Sequence, residues 1–203
     1  MATKRIQISG QVTNEKIENP KLTEAIDEMK SNFNQDTQNK VINMALRATF
    51  LVPTIIEQNQ ELVADENNHV SFQDKQTAKF LLVNKPARDK DGNETGTISY
   101  FPVFTDMDEL HKLNTDQHYR AFAMKFSDIA NLTENTPNVD GFVLNPFNKG
   151  HNLPFTKPML ASIKQTLIKY KQDKEAAAKA AAENGESEGA APDITVSSSD
   201  EQN

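Results

Sequence analysis

The chain of 203 residues has no cysteine, no tryptophan and only 7 glycines. Without cysteine there is no disulfide, no thiolate nucleophile, no iron–sulfur cluster and no Cys-ligated zinc site. The glycines stand at 10, 92, 96, 141, 150, 185 and 189, too scattered for a Gly-x-Gly-x-x-Gly turn or a Walker-type phosphate loop. No Gly-x-Ser-x-Gly elbow is present to expose a serine nucleophile. Long apolar runs are also missing. The longest clusters, such as Ala48–Pro53, have the length of a strand, far short of the ~20 residues that span a bilayer as a helix. Lys4 and Arg5 are not followed by the apolar stretch of a secretory leader, so the chain reads as cytoplasmic. Positive charge is in deficit. Lys and Arg number 22 against 29 Asp and Glu, giving a net charge of −7, which argues against nucleic acid as a partner because such binders need a dense basic surface.

What the chain does hold is enough for one core. It is 36% hydrophobic with 11 Phe, at a mean hydropathy of −0.66. The length predicts one domain with an appendage. Residues 1–18 are polar without sustained periodicity and read as a flexible arm. Asn19-Pro20 opens a helix, with Leu22, Ala25, Ile26, Met29 and Phe33 on one buried stripe. A second helix carries Val41, Met44, Ala45 and Ala48. The run Thr49–Pro53 reads as a buried strand stopped by its proline. Residues 55–77, rich in Gln, Asn, Asp and Glu, read as a loop with one short strand near Val70-Ser71-Phe72. Ala78–Val83 and Thr97–Phe104 read as strands of a hairpin, joined through the charged Asp-Gly turn of residues 88–94.

A short echo follows. Phe104-Thr105-Asp106, with Leu110 after it, recurs as Phe126-Ser127-Asp128 with Leu132. Each copy ends an apolar strand and starts a helix. The hydroxyl suits a cap, the acid suits the positive end of the helix dipole, and Thr105 with Asp108 has capping-box spacing. Two successive strand–helix units predict a parallel pair with a crossover. A third strand, Asp140–Leu144, ends at Asn145-Pro146. The last helix starts near Pro158 and keeps Leu160, Ile163, Leu167 and Tyr170 on one face. From Lys171 the stripe gives way to Ala, Lys and Glu, which predicts a helix projecting into solvent and ending at Asn184-Gly185. Residues 185–203, Gly-, Ser- and acid-rich, read as disordered. The expected organisation is an arm at 1–18, an α/β domain at 19–170 and a helix extension with an acidic tail at 171–203. The fold class is α/β, a single compact domain with a mixed sheet, a β-hairpin, parallel strand–helix units and helices packed on the sheet.

In open parallel sheets ligands gather at the carboxyl ends of strands. Thr105, Asp106, Ser127, Asp128 and Asn145 are therefore the candidate ligand-binding residues. Capping by itself also accounts for the Ser/Thr-Asp pairs. The neighbouring acids Asp108 and Glu109 lie at the same corner, and Asn148–Asn152 reads as a connection that could bind. The four histidines, at 69, 111, 118 and 151, have no His-x-x-x-His or Glu-x-x-His spacing, so no metal and no cofactor is expected.

The order of these pieces, with Phe50-Leu51-Val52-Pro53-Thr54, Phe101-Pro102-Val103-Phe104-Thr105-Asp106 and Gly141-Phe142-Val143-Leu144-Asn145-Pro146, resembles the N-terminal domain of the bacterial SseB family over roughly residues 19–170. The resemblance implies a compact α/β domain and brings no catalytic residues or substrate with it. The polar stretch 55–77 is unusually long for that family, and no second C-terminal domain is expected. The function expected is a non-catalytic module that binds a protein partner or a small polar ligand. The alternative is a small enzyme or metabolite sensor of amino-acid metabolism, suggested by the serine-sensitivity phenotype that names the family.

Overall fold

The computed structural model describes residues 11–12, 16–64 and 70–184, except for the side chains of residues 11–12, 56–77 and 180–184. The elements in chain order are β1 (Gln11–Val12), α1 (Pro20–Ser31), α2 (Gln35–Arg47), β2 (Thr49–Ala64), β3 (Val70–Phe80), β4 (Val83–Arg88), β5 (Glu94–Val103), α3 (Met107–Leu110), β6 (Arg120–Lys125), α4 (Phe126–Asn135), β7 (Gly141–Leu144), β8 (Leu153–Thr156) and α5 (Lys157–Asn184).

Helix α1 starts at its proline and buries Leu22, Ala25, Ile26 and Met29, as the spacing predicts. Phe33 departs from the stripe and is 73% exposed. The helix ends at Ser31, so the 3.6-residue period is broken before it can carry Phe33 inward. Helix α2 begins with a reciprocal cap. The Thr37 amide donates to the Asn34 side chain at 2.9 Å, and the Asn34 amide donates to the Thr37 hydroxyl at 3.2 Å.

Among the described residues, eight strands form two sheets. One runs β1-β6-β2-β3 and is antiparallel throughout; the other runs β4-β5-β7-β8, with β5 and β7 parallel. Leu51 and Phe104 exchange two backbone hydrogen bonds of 2.9 Å and stitch the sheets together. Side chains alternate along β2. Phe50 and Val52 enter the large core with α1, α2, α4 and α5, while Leu51 joins Phe104 and Leu110 in a small core on the other face. The large core centres on Phe126, Phe142 and Phe155, whose ring centroids are 4.9–5.4 Å apart.

Five expectations are corrected here. Gln11–Val12, inside the expected arm, pair with Phe122 and Ala123 of β6; the rest of residues 1–15 lies outside the described residues. The polar stretch 55–77 is not a loop in its described residues, 55–64 and 70–77. It forms most of a long hairpin, β2 with β3, in continuous register from Thr54↔Phe80 to Ala64↔Val70. Backbone groups pair whatever side chains they carry, so a strand can continue outward from an apolar start through polar residues. Pro53 does not stop β2 either. It sits where β2 changes partner from Phe104 to β3, and its carbonyl accepts from Leu81 N. The segment Ala78–Val83 is two strands, cut at Leu81–Leu82 as the chain crosses from one sheet to the other. Strand β8 was not expected at all. Its Pro154 is tolerated because β8 is an edge strand.

The hairpin of β4 and β5 turns where Asp-Gly predicted. Gly92 has φ of +86°, and the Asp89 carboxylate accepts from the amides of Asn93 (2.8 Å) and Asp91 (3.0 Å). The backbone and then the side chain of Asn93 hold the exposed Asp89 carboxyl below its ordinary value of 3.8. Helix α5 buries Leu160 and Ile163, and its residues 171–179 are all exposed, as expected for a projecting extension. The tail, 185–203, lies outside the described residues. No helix among the described residues is long and apolar enough to cross a membrane.

Candidate functional site

The parallel strands β5 and β7 end side by side, and the corner there is built around Asn145. Its φ is +45°, a left-handed conformation that Asn tolerates better than most residues. Its backbone N–H donates to Val103 O at 2.8 Å, prolonging the ladder. Its side-chain Oδ1 then accepts from the Thr105 amide at 3.0 Å, so the carboxamide stands in for a strand carbonyl. Asn145 Nδ2 donates to Thr105 Oγ1 at 2.9 Å, and that hydroxyl donates to Asp106 Oδ2 at 2.7 Å. Asp106 Oδ1 accepts from the Glu109 amide at 2.8 Å and caps α3. The cap is thus Asp106 and not the expected Thr105–Asp108 box, because the Thr105 hydroxyl is already held by Asn145. Asn19 joins from the start of α1, donating to Thr49 O (2.8 Å) and Thr105 O (2.7 Å).

The structure brings Thr105, Asp106 and Asn145 together and places Ser127 and Asp128 elsewhere. Strand β6, which precedes them, pairs with β2 and not with β5, so the echo does not form a parallel pair of its own. The parallel partner of β5 is β7. The side-chain parity decides which way each helix turns. Phe104 points into the small core and leads to α3, whereas Phe126 points into the large core and leads to α4. Ser127 makes no capping bond and lines an open apolar groove of about 280 Å³ with Leu46, Ala130, Leu160 and Leu167. Asp128 lies in the first turn of α4, where its charge complements the helix dipole.

Glu109 is also held at this corner, with a side chain only 11% exposed. Its Oε1 accepts from Lys112 Nζ at 2.7 Å and from Asn148 Nδ2 at 2.6 Å. Its Oε2 is buried without a hydrogen-bond partner. Asn148 lies in the connection between β7 and β8, where its Oδ1 accepts from the amides of Gly150 and His151. His151 Nδ1 is 3.3 Å from Asn148 Nδ2, and its Nε2 is 2.9 Å from Asp27 Oδ1 on α1. Lys30 donates to the carbonyls of Lys149 and Gly150. The connection is therefore pinned at two points on α1 and at one on α3. Asp27 and Asn19 were not expected at the site, whereas Asn148 and His151 lie in the connection that the sequence offered as one that could bind. Glu109 was legible as an acid at the corner, but its burial depends on a loop 39 residues further on. No group of three or more His, Cys, Asp or Glu able to hold a metal ion occurs among the described residues.

The family model described as SseB protein N-terminal domain matches residues 22–162. The chain belongs to the SseB family. The match runs from Leu22 in α1 into α5, so the SseB domain contains Glu109, Asn145 and the whole 145–152 connection, while β1 and the projecting half of α5 fall outside it. No curated protein and no solved structure matches the chain.

Proposed function

We propose that this SseB domain is a non-catalytic, cytoplasmic binding module that takes a small polar ligand at the corner between β5, α3 and β7. The observation that carries the reading is the buried, unpartnered Oε2 of Glu109. A buried acceptor without a partner costs about 1–3 kcal/mol, and a ligand donating N–H or O–H there would remove that cost. The ligand class that follows is small and bears an ammonium or amide donor. Access requires the 145–152 connection to lift, and its ties are few enough to exchange: His151 with Asp27, Lys30 with two carbonyls, and Asn148 with Glu109. Thr105, Asp106 and Asn145 hold the floor in place and contribute rigidity more than contact.

The test is thermal melting against free amino acids, nucleotides and divalent metal ions. A ligand at about 100 times its Kd adds about 2.7 kcal/mol, a rise of roughly 5–10 °C for a chain of this size. Amino acids or other amine-bearing compounds should give the rise, and Glu109→Gln should abolish it while melting normally without ligand. Melting curves that stay flat across the whole panel would overturn the reading. The same screen serves the alternative of a small enzyme or metabolite sensor, since a substrate must bind before it reacts.

A further inference from the structure

Two contacts set the direction of hydrogen bonding along β2. Leu51 exchanges both backbone bonds with Phe104, and Leu81 N donates to Pro53 O. The bonded side of an antiparallel strand alternates residue by residue. Odd-numbered residues of β2 therefore face β3, and pairs such as Ile55↔Lys79 and Glu57↔Thr77 are the mutually bonded ones. The even-numbered residues of β3, from Val70 to Phe80, direct their N–H and C=O away from β2. Nothing among the described residues pairs with that side, since β3 ends its sheet. The pairing of β6 with β2 also stops at Thr54↔Arg120, so beyond Thr54 the hairpin runs on as a two-stranded ribbon. Such a ribbon is marginally stable in water, and a third strand is what stabilises it.

We infer that β3 is a self-association edge, on which a second copy of this chain adds its own β3 antiparallel. Every pairing in this sheet is antiparallel, and a two-fold axis normal to the sheet lays an edge strand antiparallel against itself. The axis must pass through one residue position, and an even position puts outward N–H and C=O groups opposite each other. Centring on Asp74 sets that carboxylate against its own copy, which is repulsive. Centring on Phe72 or Ala78 leaves only a short overlap. Among the odd positions, Lys75 opposes itself, Thr77 sets Lys75 against Lys79, and Gln73 gives a shorter overlap. Centring on Gln76 pairs Phe72 through Phe80, places Asp74 opposite Ala78, Lys75 opposite Thr77 and Gln73 opposite Lys79, and sets no like charges against each other. It is the longest register of which that is true, and it merges two four-stranded sheets into one.

Sedimentation equilibrium on the full chain, up to about 200 µM so that mass action favours association, tests this. The expected species has twice the monomer mass of 22.7 kDa. Gln76→Lys and Gln76→Glu each set like charges across the two-fold axis and should each sediment as monomers. Both should keep the far-UV circular dichroism of the parent, because position 76 does not bond to β2. An equimolar mixture of the two should recover the doubled mass. A parent chain that stays monomeric over the whole range would overturn the inference and leave the edge to a strand of some other chain. Variants that dimerise as the parent does would overturn it as well.

Discussion

Replacing Asn145 separates the two things it does. Its side chain satisfies the amide and the hydroxyl of Thr105, both deep in the corner, and its backbone holds a φ of +45° at 1% exposure. Asn145→Ala removes both hydrogen bonds and leaves the Thr105 amide buried without its acceptor, which costs about 1–3 kcal/mol. It also leaves a Cβ in the left-handed region without the polar side chain that lets Asn adopt it, which adds a fraction of the roughly 1–2 kcal/mol that this conformation costs an ordinary residue. Asn145→Gly loses the same two bonds but keeps the conformation at no steric cost. Its extra freedom in the unfolded chain takes back ~0.4–1 kcal/mol. The expected outcome is a loss of about 1–4 kcal/mol for the alanine variant, with the glycine variant less affected. Urea unfolding followed by far-UV circular dichroism, with a common slope for the parent and both variants, reads these differences. An alanine variant within about 0.5 kcal/mol of the parent, the range of an ordinary surface change, would refute the role of the carboxamide as a substitute strand carbonyl. Equal losses for alanine and glycine would refute the contribution of the left-handed backbone.

Three further outcomes follow from the same fold. At Gly141 an added Cβ would lie 2.2 Å from the backbone carbonyl oxygen of Phe155, so Gly141→Ala must push β8 off β7, at about 1–3 kcal/mol by the usual cost of overpacking; chemical denaturation should show it, and a neutral result would mean the β7–β8 spacing is wrong. Phe142 is fully buried between Phe126 and Phe155, so Phe142→Ala should lower stability by about 3–5 kcal/mol, and a melting temperature unchanged by it would contradict the placement of the core. The depressed Asp89 carboxyl stabilises the β4–β5 turn once pH is above the ordinary 3.8, and that contribution is lost as pH falls through the lower, folded value; protection of the Asn93 amide from hydrogen exchange should fall off in that acid range in the parent and stay level in Asp89→Asn.

How far the sequence could be read differs from element to element, for physical reasons. The helices α1, α2, α4 and α5 were legible because each carries an apolar period that matches its own geometry, and the strand β7 because it is a short unbroken apolar run buried at every position. The hairpin of β2 with β3 was not, since residues 55–77 carry no such period and their pairing is a backbone matter. Strand β8 is short and contains a proline, which reads as an interruption until its position at the sheet edge is known. Of the five candidate site residues, Thr105, Asp106 and Asn145 meet, and Ser127 and Asp128 do not. The echo in sequence between Phe104-Thr105-Asp106 and Phe126-Ser127-Asp128 is real, but the two phenylalanines point to opposite faces of the sheet. Identical local chemistry was therefore sent to two different places by a difference in parity that only strand pairing reveals.

By itself the sequence determined the family, through the order of its motifs along the chain, and it determined the α/β class, the buried helix stripes, the Asp-Gly turn and the polar corner after Val103 and Leu144, because these depend on neighbours within a few residues. Only the tertiary structure decided that β5 pairs with β7 across an excursion through the other sheet, that Asn145 completes the ladder with its side chain, and that Glu109 is buried with one oxygen unpartnered. Those facts depend on contacts between residues some 40 positions apart. Burial and pairing at such range come from how the layers close over one another, and no local pattern carries that information.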